Sequence, residues 1–302
     1  INLGTLAVDG TVALTTNGSG NATVVNDAGL NFAASTVRGN LAATATTGNM
    51  TDSGALTVAG TTTLTTSANN ATIALDTTTN AFTGAVTITT NDDSGTDADV
   101  TIDNGTTALI LAASTIDGDL TLTSGHASGI TDSGTVTVGG NLAATTDDNN
   151  GVINLGTLAV DGTVALTTNG NGAATVVNDA GLNFAASTVR GNLAATATTG
   201  NIVDSGALTI AGTSSFTTSA NNATIALDTT TNAFTGAVTI TTNDDSGTDA
   251  DVTIDGGTTA LILAASTIDG DLTVRSGNAS GITDSGNVTV GGNLAATTDD
   301  NN

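Results

Sequence analysis

Residues 8–14 read Val-Asp-Gly-Thr-Val-Ala-Leu, with apolar side chains two residues before Gly10 and two and four residues after it. This spacing recurs along the chain, and an alternation with a period of two residues is typical of a β-strand. A glycine in the inward phase of such a strand marks a bend or a close backbone contact. We therefore predict short strands that meet at corners, with the glycines stacked from coil to coil. The predicted corner glycines are Gly10, Gly39, Gly60, Gly84, Gly118, Gly140, Gly162, Gly191, Gly212, Gly236, Gly270 and Gly292.

The whole pattern is duplicated, because residues 1–150 align without gaps on residues 153–302 and differ at 13 positions. We therefore divide the chain into two repeat units, 1–152 and 153–302, each with six coils of 21–34 residues. Thr and Val are abundant while Glu, Lys and Gln are missing, which favours strands over helices. Since crossovers between parallel strands are right-handed by default, the sequence predicts an all-β protein, a right-handed parallel β-helix (β-solenoid) of about 12 coils.

The differences between the two units agree with this register. Four of them are apolar exchanges at positions that are predicted to face inward. Most of the others, among them Asn104, which becomes Gly256, are predicted to lie at turns or to face outward. The longest coils, around residues 26–35 and 103–114, are expected to carry protruding loops or an extra strand.

Composition excludes several classes of function. The net charge is −25, with three Arg and no Lys, so nucleic acid is not an expected partner. Without Cys the chain forms no disulfide, and with a single His no zinc site is expected. No apolar run is long enough to span a bilayer, so we expect no membrane insertion by this segment. The chain begins in mid-pattern without a signal peptide, and we expect it to be a segment of a longer repetitive chain.

Acidic clusters are the candidate metal sites. Calcium binds six to eight oxygens from carboxylates, carbonyls and amides in flexible loops, which Asp-, Asn-, Ser- and Gly-rich segments supply. The EF-hand pattern and the calcium-binding β-roll nonapeptide are missing, and there is no Glu. The alternative is a set of hydrated acidic turns that keep the protein in solution. No cofactor other than Ca²⁺ is expected, and its candidate ligands are Asp92, Asp93, Asp97, Asp99, Asp147, Asp148, Asp244, Asp245, Asp249, Asp251, Asp299 and Asp300.

The few basic side chains do not suggest catalysis. His126 is the single His, and its equivalent in the second unit is Asn278, so we predict an exposed loop residue rather than a general base. Arg38 and Arg190 occupy equivalent positions, where we expect each to pair with an Asp of a neighbouring coil. Paired Asp residues serve as acid and base in glycoside hydrolysis. The chain lacks Trp and Tyr as sugar platforms, and we predict that it is not an enzyme.

Three stretches resemble a known family: MTDSGALTVAGTTTLTT (50–66), ITDSGTVTVGGNLAATT (130–146) and STVRGNLAATATTGN (35–49). They are similar to the β-strand repeats of filamentous-haemagglutinin-like giant bacterial surface adhesins, and the resemblance covers the whole chain. It implies a right-handed β-helical shaft, export across the outer membrane, a secreted or cell-surface location and an adhesive or fibrous role. A chain without Cys suits export as an unfolded thread.

The sequence therefore leaves three hypotheses for function. The first is the structural shaft of an extracellular bacterial adhesin or surface fibre. The second is a calcium- or glycan-binding β-helix module of a surface or biofilm protein, and the third is a polysaccharide-active β-helix enzyme. Expected partners are further copies of the repeat in the same chain or chains stacked head to tail, together with glycans of a host, a neighbouring cell or the matrix.

Overall fold

The structure is a computed structural model, and it describes residues 1–91, 98–148, 150–243 and 249–299. In these ranges every regular element is a β-strand, and each strand pairs in parallel with the strand of the next turn. The fold is an all-β, right-handed parallel β-helix, as the sequence predicts. Long-range strand pairing thus replaces the local hydrogen bonds on which helices depend.

The chain forms two compact units, Ile1–Gly162 and Thr163–Asn302. The strands of the first unit are β1 (Asn2–Leu6), β2 (Thr11–Val12), β3 (Ala22–Asn26), β4 (Leu30–Phe32), β5 (Ser35–Val37), β6 (Leu41–Ala45), β7 (Met50–Asp52), β8 (Leu56–Val58), β9 (Thr62–Thr66), β10 (Ile73–Leu75), β11 (Ala81–Phe82), β12 (Val86–Thr89), β13 (Val100–Asp103), β14 (Leu109–Leu111), β15 (Ser114–Ile116), β16 (Leu120–Ser124), β17 (Ile130–Asp132), β18 (Val136–Val138), β19 (Leu142–Thr146) and β20 (Ile153–Val160).

The second unit repeats this order of short strands. They are β21 (Thr163–Thr167), β22 (Ala174–Asn178), β23 (Leu182–Phe184), β24 (Ser187–Val189), β25 (Leu193–Ala197), β26 (Ile202–Asp204), β27 (Leu208–Ile210), β28 (Ser214–Thr218), β29 (Ile225–Leu227), β30 (Ala233–Phe234), β31 (Val238–Thr241), β32 (Val252–Asp255), β33 (Leu261–Leu263), β34 (Ser266–Ile268), β35 (Leu272–Ser276), β36 (Ile282–Asp284), β37 (Val288–Val290) and β38 (Leu294–Thr298).

The apolar phase of each strand builds the core. Leu109 pairs with Ile130, and Leu120 pairs with Leu142, so like side chains stack from one turn to the next. All four are at most 1% exposed, while the residues between them along the strands face outward. This alternation follows from the period of two residues, and burial of the inward rows supplies the main favourable term for folding.

One apolar exchange between the units changes the packing. In the second unit Phe216 lies between Phe184 and Phe234, with ring centroids 6.5 and 6.0 Å away and edge-to-face geometry. The equivalent of Phe216 in the first unit is Leu64, which is equally buried. Such aromatic pairs add about 0.5–1.5 kcal/mol beyond the area that they bury.

A single turn is shorter than most of the predicted coils. The N–H of Asn40 bonds to the side chain of Asn21, 19 residues earlier, and the N–H of Thr61 bonds to that of Asn40, 21 residues earlier. The fold has about 14 turns rather than 12. The difference arises because the two longest predicted coils contain more than one turn. Each includes the expected extra strand, Leu30–Phe32 or Leu109–Leu111.

The prediction that Asn104 lies at a turn or faces outward is wrong, because this side chain is fully buried. Its Oδ1 accepts the N–H of Phe82 at 2.7 Å, and its Nδ2 donates to the carbonyl oxygens of Phe82 and Ala108 at 3.1 and 2.8 Å. The amide thus satisfies backbone groups that have no ladder partner at this point. A buried amide of this kind is stable only because its polar atoms are bonded.

Candidate functional site: corner ladders and acidic surface

Corner glycines of the first unit fall on two separate lines. The first line consists of Gly39, Gly60 and Gly84, and it begins at Gly20, where the sequence pattern gave no prediction. The N–H of Gly60 donates to the carbonyl oxygen of Gly39 at 3.0 Å, and that of Gly39 donates to Gly20 at 3.0 Å. A Cβ at Gly60 would lie 2.7 Å from the carbonyl carbon of Gly39, which leaves room for glycine alone.

The second line consists of Gly118, Gly140 and Gly162. The N–H of Gly140 donates to Gly118 and that of Gly162 donates to Gly140, both at 3.0 Å. A Cβ at Gly118 would lie 2.9 Å from the carbonyl carbon of Ala98, whereas a Cβ at Gly10 would meet no atom within 4 Å. In the second unit the first line comprises Gly191, Gly212 and Gly236, and the second comprises Gly270 and Gly292.

The residue after each corner supplies a side-chain acceptor for the next turn. Asp99, predicted as a calcium ligand, accepts the N–H of Asp119 at 2.9 Å, and Asp119 in turn accepts the N–H of Asn141 at 2.7 Å. Asp251, another predicted ligand, accepts the N–H of Asp271 at 2.8 Å. We name these side chains the corner acceptors, and the set is Asn21, Asn40, Asp99, Asp119, Asn192, Asp251 and Asp271.

A second kind of corner is built from the tripeptide Asp-Ser-Gly. Asp132 accepts the N–H groups of Gly156 and Thr157 at 3.0 and 2.7 Å, so its carboxylate holds the following turn. Ser133 donates its hydroxyl to Leu111 of the preceding turn at 3.1 Å. Sequence reasoning did not assign this role, although the tripeptide occurs four times, at 52–54, 132–134, 204–206 and 284–286.

One Asp-Ser-Gly corner holds a strongly desolvated carboxyl. Burial raises the pKa of Asp204 above its ordinary value. The Nδ2 of Asn232, which donates to Asp204 at 2.6 Å, and the backbone N–H groups of Thr229 and Asp228 oppose that rise in pKa. The hydrogen bonds therefore offset part of the desolvation that a buried charge costs.

Other predicted calcium ligands lie apart from the corners. Asp147, Asp249 and Asp299 are exposed and Asp148 is half-buried. Across the described ranges, no three acidic or His side chains are grouped so that they could hold a metal ion. The remaining candidates, Asp92, Asp93, Asp97, Asp244, Asp245 and Asp300, lie outside the described residues.

An acidic cleft of about 280 Å³ lies on the first unit, where Asp103, Asp147 and Asp148 contribute to its walls. Burial raises the pKa of Asp103, and the negative charges of Asp147, Asp76 and Asp52 raise it further. The N–H of Gly105, which donates to Asp103 at 2.8 Å, opposes this rise in pKa. The equivalent place in the second unit carries a cation.

That cation is Arg275, which replaces Thr123 of the first unit. Its guanidinium lies 3.0 Å from Asp299 and 3.9 Å from Asp255, and Asp299 raises the pKa of Arg275. Among the described residues these are the two ion pairs, so the pairing that we expected for Arg38 and Arg190 with Asp is not found there. Both of those arginines are exposed.

His126 acts as a turn residue. It is exposed, and its Nδ1 accepts the N–H of Ser128 at 3.0 Å. The equivalent Asn278 accepts the N–H of Ser280 at 2.9 Å through its Oδ1. An amide oxygen thus replaces the imidazole in the same bond, which is the behaviour of a turn acceptor.

Comparison with known proteins gives one family and no individual relative. A family model described as repeats of unknown function (DUF5649) matches residues 19–89, 97–148, 171–241 and 249–302, and the second pair of matches lies 152 residues after the first. No curated protein and no solved structure matches the chain. Within the described ranges, no helix is long and apolar enough to cross a membrane. With most of its length matched in four segments, the chain belongs to the DUF5649 family of repeats of unknown function.

Proposed function

We propose that this chain is a structural segment, without catalysis, of the shaft of an extracellular bacterial adhesin or surface fibre. One observation carries the proposal: the polar side chains that recur in every period bond to the neighbouring turn. Asp99, Asp132 and Asn104 all accept backbone N–H groups in this way. Side chains that a catalytic or binding site would direct toward a ligand are used here to join turns.

A stack of this kind suits a mechanical role. Each turn contacts its nearest neighbours, so stability adds up turn by turn and length grows by duplication without redesign. The near-identity of residues 1–150 and 153–302 is the expected mark of such duplication. Membership of a family of repeats supports the same role.

The surface supports a location outside the cell. A net charge of −25 over 302 residues favours hydration and opposes tight lateral bundling. A chain without Cys passes through an export channel with no risk of premature disulfides. The likeness of the repeats to filamentous-haemagglutinin-like adhesins adds the proposal that the shaft carries an adhesive element elsewhere in its protein.

Electron microscopy of the full-length native protein, at low and at millimolar calcium, tests this function. We expect thin continuous fibres in both conditions, because the bonds between turns need no ion. Compact separate particles in both conditions would overturn the shaft. Fibres that form only with calcium would overturn a self-sufficient shaft and transfer the function to the acidic loops.

An in-register deletion provides the matched control. Removal of residues 1–152 brings Ile153 to the place of Ile1, and the next ten residues are the same in both copies. We expect a shorter fibre of unchanged width. A deletion of residues 1–140 removes a similar length but shifts the strand pattern, so we expect it to interrupt the fibre. Equal effects of the two deletions would contradict the ladder on which the proposal depends.

A further inference from the structure

We infer that the exposed face at residues 282–292 binds residues 1–10 of a second copy of the chain, which add to it as the next turn, head to tail. This inference deepens the proposed shaft function and rests on it. It names the partner as the protein itself, and it names the two surfaces that meet. The argument depends on an internal contact of the first unit that has the same sequence on both sides.

The internal contact joins residues 130–140 to residues 153–162. Residues 130–140 differ from 282–292 at one position, Thr135, which is exposed, and residues 153–162 are identical to 1–10. The chain therefore carries a second copy of each half of this contact. Both second copies are exposed to solvent over side chains that the internal contact buries.

The apolar rows of the internal contact are in register. Ile130 pairs with Ile153, Val136 pairs with Leu158, and Val138 pairs with the next inward residue of the same strand, Val160. These side chains are at most 2% exposed. At the free face the equivalents of the first partner row are Ile282, Val288 and Val290, all of them partly exposed.

The free face is open and apolar. A cleft of about 370 Å³ lies there, and Ile282, Val288 and Leu294 contribute to its walls. Leu294 is 61% exposed, and at the opposite surface Ile1 and Leu3 are 47% and 38% exposed. These three are the large hydrophobic side chains that are exposed among the described residues. A contact that covers both surfaces would bury all of them.

Hydrogen-bonding groups match across the proposed contact. In the internal contact Asp132 accepts two backbone N–H groups and the hydroxyl of Thr157, at 2.8 Å for the hydroxyl. The carbonyl oxygens of Val138 and Gly140 accept the N–H groups of Asp161 and Gly162 at 3.0 Å.

The equivalent acceptors of the free face are Asp284 and the carbonyl oxygens of Val290 and Gly292. The equivalent donors of the second copy are the N–H groups of Gly4, Thr5, Asp9 and Gly10 and the hydroxyl of Thr5. The two surfaces thus supply each other with the donors and acceptors that a parallel strand pair requires.

Charge opposes this association and gives it a signature. Both copies carry −25, so they repel each other at long range. Salt screens that repulsion, with a Debye length of about 8 Å at physiological ionic strength and about 3 Å at 1 M. We therefore expect the contact to strengthen as salt is added, because hydrophobic burial and hydrogen bonds act at short range.

Crosslinking tests the register directly, because the chain has no Cys of its own. The internal contact pairs Thr137 with Ala159, and the equivalent positions at the two surfaces are Thr289 and Ala7. Chains with Thr289→Cys and chains with Ala7→Cys, with tags removed, are mixed and treated with a short bismaleimide. We expect mixed dimers to exceed both like dimers by at least tenfold. Like dimers in equal amount, or an absence of dimers at high salt, would overturn the inference.

Sedimentation of the chain with two matched variants supplies the second test. Val290 faces the contact, while Thr289, its neighbour on the same strand, faces outward. We expect concentration-dependent oligomers for the unmodified chain and for Thr289→Lys. We expect a return to the 28.9 kDa monomer for Val290→Lys. Equal association of both variants would contradict the inference, and circular dichroism establishes that each variant is folded.

The outcomes separate this inference from the shaft itself. A chain that stays monomeric in every condition overturns the end contact, yet the shaft stands, since continuity within one long chain suffices for it. Compact particles in electron microscopy of the full-length protein overturn the shaft and say nothing against mixed dimers of this chain.

Discussion

Residues 1–18 and 153–170 have the same sequence and different structures. The first copy forms strands Asn2–Leu6 and Thr11–Val12, and the second forms the longer strands Ile153–Val160 and Thr163–Thr167. Leu3 is 38% exposed, whereas its equivalent Leu155 is fully buried. Local propensity is identical in the two copies, so it does not cause the difference.

The neighbouring turn causes it. Residues 153–162 lie on residues 130–140, whose carbonyl and carboxylate oxygens accept the N–H groups of Gly156, Thr157 and Asp161. Residues 1–10 pair with the following turn alone, through β3. Strand length and burial in this fold therefore depend on the contact between turns, as expected for a quasi-one-dimensional repeat.

Truncation of the paired leucines should show the largest effect. Leu155→Ala removes a fully buried side chain and leaves a cavity, so we expect a loss of about 2–5 kcal/mol in the free energy of unfolding. Leu3→Ala, at the same place in the repeat, should cost about 0.5 kcal/mol. Urea unfolding of dilute, monomeric protein measures both, and equal costs would contradict the comparison.

The paired glycines should follow. In Gly162→Ala the new Cβ would lie 2.7 Å from the carbonyl carbon of Gly140, so the turns must move apart, and we expect a cost of about 1–3 kcal/mol. In Gly10→Ala the Cβ meets nothing within 4 Å, and we expect a change within about 0.5 kcal/mol. Thermal unfolding of the two variants side by side gives the ranking. A cost at Gly10 as large as that at Gly162 would show that backbone entropy, and not the close contact, requires glycine.

The buried amide provides a second pair of equivalent positions, Asn104 and Gly256. In the second unit the hydroxyl of Thr259 accepts the N–H of Phe234 at 3.1 Å, the bond that Asn104 makes to Phe82 in the first unit. Transplanting the glycine as Asn104→Gly should cost about 1 kcal/mol, because a threonine hydroxyl is able to take over the bond.

A double-mutant cycle with Thr107, the equivalent of Thr259, tests this explanation. Thr107→Val alone should have little effect, while Asn104→Gly with Thr107→Val leaves a buried N–H without an acceptor and should cost about 1–3 kcal/mol. Strict additivity of the two substitutions in urea unfolding would refute the replacement of one acceptor by the other.

The smallest expected effect concerns pH. The pKa of Asp103 is raised in the folded chain, so the folded state binds its proton more tightly than the unfolded state does. The contribution of Asp103 to stability is therefore complete below its ordinary pKa and falls as pH rises through the folded value. Asp103→Asn should stabilise the protein by about 0.5 kcal/mol at neutral pH and by nothing at acid pH.

Asp255, the equivalent of Asp103, is the control. Arg275 lies 3.9 Å from it, so Asp255→Asn removes an attraction rather than a repulsion and should bring no gain at neutral pH. Unfolding midpoints at pH 3 and pH 7 for both variants measure the difference. A gain at Asp255 equal to that at Asp103 would contradict the role that we assign to Arg275.

The fold could be predicted because the signal repeats. The period-two pattern around Gly60 and Gly140 fixes strands, corners and parallel stacking without knowledge of any contact. Which corner a glycine occupies could not be predicted, because spacing along the chain does not show where a turn begins. Gly84 and Gly118 look like successive members of one line, but they lie on two.

The polar contacts were harder to predict, for a physical reason. An Asn that accepts a bond inside the core, such as Asn104, has the same sequence surroundings as one in a solvated turn. Asp132 and Asp99 likewise read as acidic surface until the turn that each carboxylate holds is known. The fourfold Asp-Ser-Gly tripeptide was the one available signal, since a recurring acid followed by Ser and Gly is unusual for a merely hydrated loop.

Hydrogen exchange of the two identical segments tests the central claim most directly, namely that each turn is stabilised by its neighbours. Peptides that extend to Ser19 and to Asn171 differ in mass, so mass spectrometry distinguishes the two copies. In dilute monomeric protein we predict slow exchange at the N–H groups of residues 156, 157, 161 and 162, and fast exchange at those of residues 4, 5, 9 and 10. Equal protection of the two sets would contradict the account, because local sequence would then suffice to order the strand.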